Sequence, residues 1–263
     1  MYRFARVLFL AMVTLCPFLV TGQDEAKNEA AELAKKLSNP IASLISLPLQ
    51  NNLDVGIGEF NGSRNTLNIQ PVIPVSLSEN LNLITRVILP VYTQYDISGE
   101  GTSQSGIGDA VISGFISPKV SKITWGVGPV LLLPTGGDAF SANKFGIGPT
   151  AVALYQANGM TFGGLVNQIW SLDENNTVSN MFLQPFFTYN WKSGAGIGAN
   201  LELTQNWKAE TTNVWLNPVV SAVTSMGKQK VQFAIGPRFN LAAPDQAKSK
   251  FGVRAVLVFL FPK

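Results

Sequence analysis

The chain has 263 residues, 46% of them hydrophobic and only 13% charged, against about 25% charged in an ordinary soluble domain. It has no histidine and a single cysteine, Cys16, which excludes Ser-His-Asp and Cys-His catalysis, a conventional zinc site and a disulfide scaffold. With Arg3 and Arg6 set aside as part of an export signal, the 19 basic residues come within one of the 16 acidic ones, so no charge excess points to nucleic acid as a partner.

The long apolar run is Val7 to Val20, with Arg3 and Arg6 before it and Val20-Thr21-Gly22 after it. It is nearer the length of a signal core than of a membrane-spanning helix. Residues 1–22 therefore read as a cleaved secretory signal, and Cys16 goes with it. Asp24 to Leu37 carries helix formers with Ala26, Ala30, Leu33, Ala34 and Leu37 at helical spacing, and Ser38-Asn39-Pro40 stops it. Residues 23–43 are expected to form a helix and linker. A solvated periplasmic helix and a plug in the mouth of a barrel both fit this pattern.

From Leu44 onward the hydrophobic period is two. In the first strand Ile45, Leu47, Leu49, Leu53, Val55 and Ile57 share a face broken only by Asn51, opposite Ser46, Gln50, Asn52, Asp54, Gly56 and Gly58. A turn over Glu59 to Ser63 leads to a strand through Leu67 and Val75, and a third runs from Leu81 to Val91. The signal recurs near 106–117, 122–133, 145–157, 160–171, 178–191, 194–206, 212–225 and 229–241. Phe251 to Phe261, FGVRAVLVFLF, closes the series with Phe251, Val253, Ala255, Leu257, Phe259 and Phe261 on one wholly apolar face. That makes about twelve strands, an even number, and the connections alternate between short turns and longer loops as in an up-and-down transmembrane barrel. The fold class expected is an all-β transmembrane antiparallel barrel over residues 44–263, with a short N-terminal helix.

One feature opposes a closed sheet. Pro71, Pro74, Pro90, Pro129, Pro149, Pro185, Pro218 and Pro237 fall inside these strands, and proline has no N–H for the ladder. They recur in similar settings, among them VGPV, IGPT, LNPV and IGPR, which suggests a shared local kink.

With the apolar faces toward lipid, the lumen-lining candidates are Asp54, Gln70, Arg86, Asp109, Gln184, Asn200, Glu202, Asn217, Gln232, Arg238, Asn240 and Arg254. These side chains either pair with one another and fill the interior, or line a water-filled path and set its selectivity. Asp54, Asp109 and Glu202 lie on different strands, with no sign of an acid pair for catalysis. No enzyme activity, cofactor or metal is expected. Trp125, Trp170, Trp191, Trp207, Trp215, Tyr92, Tyr95 and Tyr189 are read as an interfacial girdle. Asn61-Gly62-Ser63 and Asn175-Asn176-Thr177 match glycosylation acceptors but are read as turn residues.

The stretches NPIASLISLPLQNN from Asn39, TLNIQPVIPVSL from Thr66, LNLITRVILPV from Leu81, GIGDAVISGFISPK from Gly106, WGVGPVLLLPTG from Trp125, GIGPTAVAL from Gly146 and GVRAVLVFLFPK at the end resemble a family of Gram-negative outer-membrane barrels. That family is catalogued with the meta-pathway of phenol degradation and labelled as transporters. The resemblance covers nearly all of the chain after the signal, and implies export to the outer membrane and contact with its lipid. It further implies passive passage of small solutes, hydrophobic or aromatic ones included, and reading of Phe251 to Phe261 by the barrel assembly machinery. A closed barrel that acts structurally, or binds ligands through loops Thr93 to Ser105 and Thr135 to Lys144, is the competing expectation.

Overall fold

The computed structural model describes residues 16–174 and 177–262, with the side chains of the first helix described from Lys27 onward. Most of the expected signal, residues 1–15, and Asn175-Asn176 lie outside the described residues. The helix α1 spans Cys16–Leu37. It begins earlier than Asp24 and so continues through part of the segment read as signal. No helix among the described residues is long and apolar enough to cross a membrane.

The strands are β1 Ile45–Ile57, β2 Gly62–Ile69, β3 Val72–Ser76, β4 Leu81–Tyr95, β5 Ser103–Ile107, β6 Ala110–Pro118, β7 Thr124–Leu133, β8 Gly146–Ala157, β9 Met160–Ser171, β10 Ser179–Asn190, β11 Ala195–Asn206, β12 Thr211–Met226, β13 Gln229–Ala242 and β14 Phe251–Phe261. They form a closed antiparallel barrel of 12 strands. Two of the twelve are interrupted: β2 and β3 are halves of one strand broken at Gln70-Pro71, and β5 and β6 are halves of another broken at Gly108-Asp109, both lying against β4. Closure is made by β14 on β1, in register from Ile45 opposite Phe261 to Val55 opposite Phe251. The terminal strand singled out by its apolar face is therefore the seam of the barrel.

Alternation decides which face meets what. Leu53, Val55, Val220, Phe233, Ile235, Phe239, Phe251 and Phe261 are among the exposed large hydrophobics and point outward, where lipid covers them. At tight turns the backbone enters the left-handed region at Asn158 (φ 51°) and Gly159 (φ 79°), the geometry a two-residue hairpin requires.

The prolines sit where the ladder opens. Pairing of β6 with β7 skips from Ser113 opposite Val130 to Ile116 opposite Val127, around Pro129. Pairing of β8 with β9 skips Gly148 and Pro149, and that of β12 with β13 skips the stretch holding Pro218 and Pro237. The glycine before the proline takes up the strain. A Cβ on Gly128 would lie 1.9 Å from the Gly114 carbonyl oxygen, on Gly148 1.7 Å from that of Gln168, and on Gly236 1.8 Å from that of Pro218. The missing N–H opens the ladder, and the bare glycine lets the neighbouring carbonyl press in; this is the physical content of the repeated GP pairs.

The inward face holds an apolar layer as well as polar groups. Leu33 and Ala34 of α1 pack with Leu44, Val223, Val258 and Leu260. Ile41 of the linker packs with Val72, Ile84, Phe115, Val152 and Leu165. Polar contacts tie the same segment to the wall: Asn190 Nδ2 donates to Ser38 Oγ at 2.7 Å, Asn82 Nδ2 to Ser43 Oγ at 2.8 Å and Gln156 Nε2 to the Lys35 carbonyl at 2.9 Å. Lys230 Nζ meets Glu29 Oε2 at 2.5 Å.

Candidate functional site: the charged layer of the lumen

Four strands around the seam, β11, β13, β14 and β1, bring charge together. Asp54 on β1 and Arg238 on β13 both stand opposite Gly252 of β14. With no side chain between them, Arg238 Nη1 donates to Asp54 Oδ1 at 2.9 Å and Oδ2 at 2.8 Å. On β14, Arg254 donates through Nη1 and Nη2 to the two oxygens of Glu202 on β11, at 2.9 and 3.0 Å, and through Nε to Asn52 Oδ1 at 2.8 Å. Arg238 Nη2 lies 3.9 Å from Glu202 Oε2, so the two ion pairs form one network. Asp54 and Glu202, expected to be unrelated, share Arg238.

Neutral side chains complete the layer. Arg238 Nε donates to Asn217 Oδ1 at 3.0 Å, and Asn217 Nδ2 to Asn200 Oδ1 at 2.8 Å. Gln184 Nε2 reaches Glu202 Oε1 at 3.2 Å. Arg238 lies over the Trp215 ring, 4.1 Å from its centroid, a cation–π contact. Trp215 thus faces the lumen and is not a girdle residue; Tyr92 also faces inward, stacked on Phe140 with centroids 5.0 Å apart. Asn240 Nδ2 contacts Asn213 Oδ1 at 3.3 Å.

On β4, two strands along from β1, Arg86 Nη2 donates to Gln70 Oε1 at 2.7 Å. Arg86 has no ion pair among the described residues. It stands between two cavities of about 200 and 190 Å³. The first lies against the α1 linker and includes Gln70, Gln232 and Val258 in its wall; the second opens among Ile88, Val111, Asn180 and Phe182. Toward the loop end of the barrel Arg64 Nε donates to Gln94 Oε1 at 2.9 Å. Two wider concavities, about 630 and 640 Å³, lie on the outer face among residues such as Leu49, Phe233, Phe187 and Ile197, and belong to the lipid side.

Of the side chains expected along the lumen, Asp54, Gln70, Arg86, Gln184, Asn200, Glu202, Asn217, Gln232, Arg238, Asn240 and Arg254 share the inward parity of their strands. Asp109, the twelfth, is held by a loop. It falls in the break between β5 and β6, where strand parity resets, and its carboxylate accepts from Ser141 Oγ at 2.5 Å, Ala142 N at 2.7 Å and Gly136 N at 3.1 Å, clasping the loop between β7 and β8. Asn52 and Arg64 join these groups without having been named as lumen candidates, as does Trp215, which was read as a girdle residue. Asn52 shares the alternation that exposed Asp54. Arg64 stands just past the turn expected over Glu59 to Ser63, in a strand that starts two residues earlier, at Gly62.

The fold is shared with a solved structure. An outer membrane channel from Pseudomonas putida F1 superposes with a TM-score of 0.67 at 15% identity, over 83% of this chain and 96% of that one. An anion-selective porin from Comamonas acidovorans gives 0.42 at 9% identity, over 83% and 98%, and OmpT of Vibrio cholerae in its trimer form gives 0.39 at 9%, over 82% and 98%. No curated protein matches the chain. Residues 46–257 match the model of the family described as "Putative MetA-pathway of phenol degradation". That match spans the barrel from the second residue of β1 to the middle of β14, and the chain belongs to this family.

Proposed function

We propose that the barrel sits in the bacterial outer membrane and lets small solutes pass passively, anions ahead of cations. The carrying observation is the charge of the inward face. Arg64, Arg86, Arg238 and Arg254 outnumber Asp54 and Glu202, the carboxylates set among them, and in a confined, low-dielectric path an excess of fixed cations raises the local concentration of anions. No catalytic role is proposed, because both inward carboxylates are held by arginine. Export by removal of residues 1–22, and recognition of Phe251 to Phe261 by the assembly machinery, belong to the same reading.

A closed barrel is the second reading, favoured by one observation: Leu33, Ala34 and Ile41 are buried against the inner wall, so α1 and its linker occupy one mouth. Planar-bilayer conductance of the mature chain, beside a variant lacking residues 23–40, separates the two. Discrete steps from the intact chain support passage. Silence from the intact chain with steps from the variant makes the segment a plug. Silence from both, with folded protein inserted, rejects the channel.

A further inference from the structure

A guanidinium inside a protein is costly unless a negative partner faces it. Arg238 and Arg254 have carboxylates; Arg86 has one neutral acceptor, Gln70. Glu202, the acid whose charge acts on it through space, is engaged by the other two arginines. Arg64 is likewise paired to a neutral amide but lines neither cavity, whereas Arg86 lines both.

The cavity of about 190 Å³ above Arg86 has a divided wall. Ile88, Val111, Ile169 and Phe182 make it apolar, while Ser113 and Asn180 add polar groups, and Asn180 Oδ1 is buried with no hydrogen-bond partner among the described residues. An apolar cavity of about 150 Å³ takes up benzene, so this one has room for a ring-sized body whose carboxylate faces Arg86. Arginine's planar fork suits a carboxylate in that role.

We propose that Arg86 and this cavity form a binding site for a small monocarboxylate with a compact apolar body. Resting on the passage reading, it names the class of solute that dwells in the path. The carboxylate supplies the charge Arg86 lacks, and the ring lies against Ile88, Val111 and Phe182.

The test is calorimetric titration of the folded mature chain in detergent at constant ionic strength, with sodium benzoate as probe. Expected is saturable binding of benzoate and cyclohexanecarboxylate, roughly tenfold or more weaker binding of acetate, and none of neutral benzamide. Arg86→Gln removes the charge and Val111→Phe fills the cavity; each weakens benzoate by roughly tenfold or more. Retained fast mobility of the unheated barrel on a gel certifies folding, and if Arg86→Gln does not fold, Val111→Phe alone decides. Equal binding of acetate, phosphate and benzoate, or unchanged benzoate binding in the folded variants, overturns the proposal. Conductance is read separately: a conducting barrel that ignores benzoate sinks this site alone, and a barrel that binds benzoate yet never conducts sinks the passage reading.

Discussion

Arg238 Nη1 holds both oxygens of Asp54, at 2.9 and 2.8 Å, across a strand that contributes only a glycine at that point. Both side chains are under a tenth exposed. Removing one member leaves the other buried without its counter-charge, which costs about 3–5 kcal/mol where no other partner takes over. Asp54→Ala is expected at the lower end, because Glu202 at 3.9 Å partly compensates Arg238. Urea unfolding in lipid vesicles measures it; an Asp54→Ala barrel as stable as the parent contradicts the pairing.

Gly252 is predicted to be coupled to Asp54. A Cβ at position 252 would lie 2.4 Å from Asp54 Oδ1 and 3.1 Å from Arg238 Cβ. Gly252→Ala is expected to cost about 1–3 kcal/mol, the usual scale for overpacking, and measurably less in the Asp54→Ala background, where the obstructing oxygen is gone. Additive losses in that double-mutant cycle contradict the close approach.

The seat of α1 is open to a chemical test. Glu29 and Lys230 are in contact at 2.5 Å, so a zero-length carbodiimide reagent should join them, and digestion should yield one peptide containing part of α1 bonded to part of β13. Absence of that species, with other surface pairs linked, means the helix does not rest in the barrel mouth.

Asp173, in the loop after β9, has its carboxyl pKa lowered to about 2, chiefly by the hydrogen bond from the Ser171 side chain, with the Thr177 side chain and backbone adding to it. A depressed carboxyl contributes stability that is fully present above its unfolded value near 3.8 and lost as pH falls through about 2. The Thr177 amide, which donates to Asp173 at 3.2 Å, should therefore titrate in NMR spectra with a midpoint near 2. A midpoint near 3.8 shows that the loop does not hold the carboxylate.

Strand number and order were legible because each strand meets lipid on one side, and lipid demands an apolar residue at every second position. The two broken strands were not: Gln70-Pro71 interrupts the ladder without shifting the alternation, and the shift at Gly108-Asp109 takes only two residues. The inward face was legible only in part. Val256, Val258 and Leu260 look lipid-compatible by composition, yet they point inward because Leu33, Ala34 and Leu44 cover them; that contact is between segments more than two hundred residues apart. Trp215 was read as a girdle residue because position near a strand end does not say which way a ring faces.

Ion selectivity tests the central claim most directly. The mature chain, reconstituted in a planar bilayer under a potassium chloride gradient, is predicted to show a zero-current potential of the sign that marks chloride as the more permeant ion. Glu202→Gln should strengthen that preference and Arg86→Gln weaken it. A potential of the opposite sign, or one that neither substitution moves, would contradict the account.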